Sequence, residues 1–370
     1  MTVPTIQGWC PGAHRPMMSG DGLVVRIRPF AGEISGKQAS ILADLALDYG
    51  TGFIDLTNRA NLQIRGVSDA DYPKLMTKLN VAGLLDDSES LEDKRNIIIT
   101  PFYTDGDLAH RLYKSLASSL SDLPAFPKKF GFAIDTGPSR CLLDANADIR
   151  LESSPSGDVL VRADGFETGV AVREADVIAH VHALLTWFMA TRNPSTRRMA
   201  KHLGDTPLPH QFQGAQPVQA RTGTSAGLLY MPFGQIDAQD LKRLAKLPGM
   251  TSIRVTPWRA LLVSPAFNDA QAIFPERAAS PLMTTSACAG KPFCPQASVE
   301  TRALAVELAP RWSGSLHVSG CSKGCARPSK ADVTLVGNNG KFDLVRNGAA
   351  WDDALYTNLS PTELKTLDLK

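Results

Sequence analysis

The stretch Gly22-Leu23-Val24-Val25-Arg26-Ile27-Arg28-Pro29-Phe30 leads into Glu33-Ile34-Ser35 and, past a helical run, into Gly52-Phe53-Ile54-Asp55-Leu56-Thr57 and Leu62-Gln63-Ile64. It decides the fold because it occurs twice. About 200 residues later the chain reads Gly227-Leu228-Leu229-Tyr230-Met231-Pro232-Phe233, Gln235-Ile236-Asp237, Ser252-Ile253-Arg254-Val255-Thr256 and Leu261-Leu262-Val263. Ser35 and Asp237 stand at matching places and are good N-caps, since a side-chain oxygen there accepts from the unpaired amides of a first helical turn. They open helical stretches running to about residue 49 in the first copy and over residues 241–247 in the second. Each copy reads strand, helix, strand, strand.

Outward from these copies, residues 90–205 and 276–370 mix strand-like runs with helical ones. Asn96-Ile97-Ile98-Ile99 and Asp332-Val333-Thr334-Leu335-Val336 are strand-like, while apolar spacing of three and four predicts helices over 107–119, 174–189 and 298–308. Residues 206–217, with Pro207, Pro209 and several glutamines, read as a linker. The expected organisation is a half-unit at 1–88, an α+β domain at 89–205, a second half-unit at 206–275 and a second α+β domain at 276–370.

A chain of 370 residues exceeds what one core usually organises. Its formal charge of +2, from 39 basic and 37 acidic residues, supplies no field to attract nucleic acid or an anionic membrane. Apolar runs such as Val177-Ile178-Ala179 are soon broken, here by His180 and His182, far short of the roughly 20 apolar residues a spanning helix needs. The stretch from Met1 to Gly8 has no basic segment followed by an apolar run, so a cytoplasmic protein is expected.

Four of the six cysteines fall within 38 residues, as Cys288-x5-Cys294 and Cys321-x3-Cys325. Four thiolates are what a [4Fe-4S] cubane needs, and Gly290, Gly320 and Gly324 would let backbone amides approach its sulfurs. Structural zinc also uses four thiolates, though its pairs are usually separated by two to four residues. Two disulfides would need an oxidising compartment. Unrelated buried thiols would not be expected to cluster in this way. Cys10 and Cys141 read as inert thiols.

In Arg59-Ala60-Asn61-Leu62-Gln63-Ile64-Arg65 a strand would send Arg59, Asn61, Gln63 and Arg65 to one face and Leu62 and Ile64 to the other. Arg26 and Arg28 alternate likewise against Leu23, Val25 and Ile27, and Arg95 and Lys128-Lys129 follow. Guanidinium forks pair with carboxylates in bidentate geometry, so this set suits a ligand with many carboxylates. A solvated sheet face is the commoner use of such charges.

The cysteine pairs, the duplicated unit and the basic strand together resemble the sulfite and nitrite reductase superfamily, over nearly the whole chain. Its Thr-x-Arg-x-x-x-Gln motif matches Thr57-Asn58-Arg59-Ala60-Asn61-Leu62-Gln63, its Arg-Asn strand opening matches Arg95-Asn96, and its Pro-Arg/Lys-Lys-Phe motif matches Pro127-Lys128-Lys129-Phe130. The resemblance implies an α+β fold of two pseudo-symmetric halves, each a ferredoxin-like half-unit followed by a larger mixed domain. It also implies a [4Fe-4S] cluster on Cys288, Cys294, Cys321 and Cys325, with Cys325 nearest a tetrapyrrole. Arg59, Asn61, Gln63, Arg65, Arg95 and Lys129 would bind that tetrapyrrole.

Two departures concern the branch. Sulfite reductases carry a second lysine where this chain has Gly131, and an asparagine where it has Lys323. The motifs Gly8-Trp9-Cys10-Pro11, Arg15-Pro16-Met17 and Ser19-Gly20-Asp21-Gly22-Leu23 instead resemble the superfamily's hydroxylating branch, which serves aerobic cobalamin synthesis. That branch implies oxygen-dependent hydroxylation of precorrin-3A at C20 with lactone formation, so that the tetrapyrrole is substrate. The alternative is a sulfite or nitrite reductase that holds sirohaem as cofactor. The branch further implies a mononuclear non-haem iron. His202, Asp205 and His210 lie close in sequence and His14 sits in the N-terminal motif, but each reads as an ordinary surface or core residue. No Gly-x-Gly-x-x-Gly follows a strand, so a separate NADH-linked electron donor is expected.

Overall fold

The computed structural model describes residues 11–221, 227–263, 267–274, 280–312 and 314–367. Cys10 lies outside them.

Both expected caps are present. The Ser35 hydroxyl accepts from the Gln38 amide while the Gln38 side chain accepts from the Ser35 amide, a reciprocal box that starts the helix Gly36–Tyr49. The Asp237 carboxylate accepts from the Gln239 amide and starts Ala238–Ala245, three residues before the expected 241. Leu42, Leu45, Leu241 and Leu244 bring the two helices onto one shared hydrophobic core.

The half-units also exchange a strand. Glu33–Ser35 leaves the first copy to pair with Ser252–Val255 of the second, and Gln235–Asp237 leaves the second to pair with Phe53–Leu56 of the first. The sheets are therefore Met17–Ser19, Gly22–Ile27, Leu62–Val67, Phe53–Leu56, Gln235–Asp237 and, separately, Leu228–Tyr230, Ala260–Val263, Ser252–Val255, Glu33–Ser35, all antiparallel. Sequence reading took Glu33-Ile34-Ser35 and Gln235-Ile236-Asp237 as lead-ins to helices, because three residues are too short to display a period of two.

The repeat extends to backbone detail. Ala31 at φ 52° matches Phe233 at φ 57°, and Ala60 at φ 54° matches Arg259 at φ 56°, all in the left-handed region that residues with a Cβ rarely enter. Ala60 and Arg259 sit in equivalent turns, closed by Thr57 N to Asn61 O at 2.9 Å and by Thr256 N to Ala260 O at 3.1 Å.

The larger domains repeat too. In the first, Ile97–Ile99, Phe132–Asp135 and Ile149–Ser153 are parallel neighbours, and Val159–Ala163 and Val170–Val172 add antiparallel. In the second, Thr285–Ala287, Leu316–Ser319 and Ala331–Asn338 are parallel neighbours, and Lys341–Gly348 and Tyr356–Leu359 add antiparallel.

Helices Leu108–Ser118 and Val177–Thr191 lie where periodicity places them. The expected 298–308 helix is only Arg302–Leu308, because residues 298–301 are committed to the cysteine loops instead. Residues 206–217 are packed rather than loose: Leu208 and Phe212 are buried in the core of the first α+β domain. Among the described residues no helix is long and apolar enough to cross a membrane.

Candidate functional site

The cysteine pairs meet because each leaves the carboxyl end of one of two neighbouring parallel strands. Thr285–Ala287 delivers Cys288 and Leu316–Ser319 delivers Gly320 and Cys321, so residues 33 apart in sequence emerge side by side. The Gly320 amide donates to Cys288 Sγ at 3.1 Å, and the Thr301 hydroxyl donates to the Cys288 carbonyl at 2.7 Å. The Cys294 amide closes its own loop onto Gly290 O at 2.8 Å, and Ser298 N reaches across to Gly320 O at 3.0 Å. Of the three loop glycines, Gly320 thus brings an amide to sulfur. Gly290 is required by its φ of 68° and by Thr301, whose hydroxyl would lie 2.5 Å from an added Cβ.

All four cysteines, none of them in a disulfide, line one cavity of about 380 Å³. Arg26, Gln63 and Arg65 of the first half-unit, Arg259 of the second, and Arg302 and Lys323 line the same cavity. Burial, partly offset at Cys321 by the Lys323 amide, holds the Cys321 thiol above the usual range, and Cys325 is raised likewise. The neighbouring sulfurs add to both shifts. Crowded thiols of this kind deprotonate when a metal supplies the compensating charge. Among the described residues no group of three or more His, Cys, Asp or Glu side chains is already drawn together closely enough to hold a metal ion. Four thiols on one cavity are the donor type of a [4Fe-4S] cluster as well as of a four-thiolate zinc site, and the five-residue gap of the first pair is the one unusual for zinc.

The basic strand divides differently from expectation. The strand begins at Leu62, so Gln63 and Arg65 face the cavity, whereas Arg59 and Asn61 belong to the preceding turn. Asn61 is buried there, and Arg59 Nη2 donates to Lys129 O at 3.3 Å. Lys129 itself lines a second cavity of about 530 Å³, together with Arg15, Lys128, Arg192 and Arg197. Arg26 donates through Nε and Nη2 to Gln63 Oε1 at 3.0 and 2.7 Å, which orients the amide across adjoining strands.

Arg95 is not at the cavity. Its Nε and Nη2 fork onto Asp86 at 2.6 and 2.8 Å, Nη2 also donates to Arg28 O, and Nη1 donates to Pro29 O and Tyr113 Oη. The plane stacks 4.0 Å over the Phe30 ring. A guanidinium has five N–H groups, and these partners occupy them, so Arg95 is corrected from a ligand-binding residue to a buried structural one. Arg28 is buried beside it, where desolvation lowers its pKa, and its Nη1 donates to the Glu92 carbonyl.

Sequence reasoning missed Arg259 and Arg302. Burial, then the nearby Arg302, push the Arg259 guanidinium below its usual range, and Arg302 Nε is buried without a partner among the described residues. Asp55 answers part of this charge, accepting from Arg302 Nη2 at 3.3 Å. Superposing the two copies by their turns would have found Arg259, which occupies the position of Ala60.

By strand position, Thr100 and Cys141 of the first half stand where Cys288 and Cys325 stand in the second. They are 3.3 Å apart, and burial beside Asp135 pushes the Cys141 thiol up to about 12, so this counterpart holds one inert thiol. His202 is a core residue: it packs on Trp187 and Phe188 and its Nε2 meets Thr191 Oγ1 at 2.9 Å. His14 Nε2 meets Asp86 O at 2.7 Å.

Residues 15–82 match the model of the nitrite/sulfite reductase ferredoxin-like half domain. Over 93% of this chain and 83% of the relative, the sequence is 30% identical to precorrin-3B synthase of a Sinorhizobium species. It is 24% identical to the ferredoxin–nitrite reductase of Synechococcus elongatus, over 89% of this chain and 78% of that one. The solved structure of the NirA protein of Mycobacterium tuberculosis has the same fold, with a TM-score of 0.67 at 16% identity over 93% of this chain and 79% of that one. The chain belongs to the sulfite and nitrite reductase superfamily and, within it, to the precorrin-3B synthase family.

Proposed function

We propose that this protein is an iron-sulfur monooxygenase that hydroxylates precorrin-3A at C20 and closes a lactone from the ring A acetate. One atom of dioxygen enters the product and the other leaves as water, with two electrons from an NADH-linked donor protein. The observation that carries this reading is the shared cavity, in which four cysteines face arginines from both half-units. It agrees with the similarity to precorrin-3B synthase over most of the chain.

A [4Fe-4S] cluster held by Cys288, Cys294, Cys321 and Cys325 would supply single electrons at that wall. The protein's own part is to bind and orient. Arg259 and Arg302 crowd two guanidinium groups together, with Asp55 and the Cys288 thiol in partial compensation, an arrangement that a substrate carboxylate would relieve further. Gln63, fixed by Arg26, presents an amide, and Arg65 keeps Nη1 clear of partners among the described residues. Arg59, Asn61 and Lys129 would serve carboxylates farther along, toward the second basic cavity.

Gly131 argues against anion reduction. A Cβ there would lie 3.0 Å from Asn96 O, so the lysine that sulfite reductases carry is sterically discouraged as well as missing. Incubation of anaerobically loaded protein with precorrin-3A, a reductant and oxygen tests the proposal. A product heavier by one oxygen, with ¹⁸O incorporated from dioxygen, is expected. A strong sirohaem band with nitrite or sulfite turnover and no such product would overturn it.

A further inference from the structure

Each cysteine loop is held by one arginine, and the two arginines come from different half-units. Arg65 Nη2 donates to the carbonyl of Phe293, the residue before Cys294, at 2.9 Å. The same oxygen accepts from Ser19 Oγ at 2.7 Å and from Gly20 N at 3.2 Å. Gly20 must be glycine for this, since a Cβ would sit 2.3 Å from Pro292 O. Arg65 is itself held by a fork onto Asp21, Nε at 3.0 Å and Nη2 at 2.9 Å.

On the other loop, Arg259 Nη2 donates to the carbonyl of Ala326, the residue after Cys325, at 2.8 Å. Arg259 holds its place through a left-handed turn at φ 56°, where an ordinary side chain is strained. A residue kept in such a conformation needs surroundings that over-determine it, and here the closed 256–260 turn provides them.

We infer that Arg65 and Arg259 are positioning residues for the metal-binding cysteines, each half-unit setting one loop through a charged hydrogen bond to a backbone carbonyl beside a ligand. The inference rests on the cluster reading above. Because the half-units share one core and exchange strands, a displacement of either would change the spacing of the two loops. Both side chains also line the substrate cavity, so a bound carboxylate and the cysteine loops would pull on the same guanidinium groups.

Hydrogen exchange on the cluster-loaded protein tests this, with the cluster's midpoint potential as a second readout. Arg65→Lys keeps the charge but loses the fork, and amides of residues 288–297 should exchange at least about tenfold faster while those of 320–327 do not change. Arg259→Lys should give the reverse. Ser19→Ala, a milder change, should loosen only the first loop. In both arginine variants the potential should move, which a purely scaffolding role would not cause. Unchanged exchange in both loops, or a uniform rise across the chain, would overturn the inference. Iron content separates the two readings: a wild-type protein that takes up no iron defeats the cluster assignment, whereas the loop-specific exchange pattern judges the latches.

Discussion

The Gly320 amide lies 3.1 Å from Cys288 Sγ, joining the ends of two parallel strands through one hydrogen bond to the sulfur of a proposed cluster ligand. Amide donors to sulfur stabilise the more negative state of a cluster, so in the proposed cluster this contact would link the sheet register to the redox potential.

Gly320→Ala is expected to cost the cluster. The added methyl would fall 2.6 Å from Ala297 Cβ and push the two loops apart. Iron and acid-labile sulfide per chain should drop severalfold, and Ala297→Gly in the same chain should restore much of the loss by reopening the space.

Arg95→Ala should act on stability rather than on binding. Removing one partner of a buried ion pair leaves Asp86 uncompensated, at a cost of about 3–5 kcal/mol. Denaturant unfolding should report this cost, while the tetrapyrrole affinity of the folded fraction stays near that of the wild type.

Sequence and structure part company at identifiable places. The cysteine pairs, the copied half-unit and the Ser35 and Asp237 caps were legible because each is a local signal, a spacing or a cap beside a periodic run. The strand exchange was not, since Ile34 and Ile236 are single apolar residues in three-residue strands. Arg95 looked like a binding residue because sequence does not reveal that Asp86 faces it. Arg259 and Arg302 were missed for the opposite reason: no local pattern marks two charges that only the fold brings beside each other and beside Asp55.

The exchanged strands give a stability prediction. Ile236 is 1% exposed and pairs with Ile54 across the halves, so Ile236→Ala should destabilise the fold by about 2–5 kcal/mol. Because both half-units share one core, unfolding should remain a single transition for that region, seen as coincident loss of the 36–49 and 238–245 helices by hydrogen exchange.

His317 gives a pH prediction. It is fully buried, and desolvation, then Arg327 and Arg259, push its pKa down to about 4. The folded state therefore favours the neutral ring. The stability this confers is complete above the unfolded pKa near 6.5 and is lost as pH falls through the folded value, up to about 3 kcal/mol. Denaturant midpoints measured between pH 7 and pH 4 should fall more steeply in the wild type than in His317→Gln.

The proposed function requires iron and tetrapyrrole to share one cavity, and the electron paramagnetic resonance spectrum of the reduced, anaerobically isolated protein tests this with and without precorrin-3A. A signal of one [4Fe-4S] cluster, absent in Cys321→Ser and altered when precorrin-3A is added, is the predicted result. A protein without a cluster signal, or a signal indifferent to saturating precorrin-3A, would contradict the account.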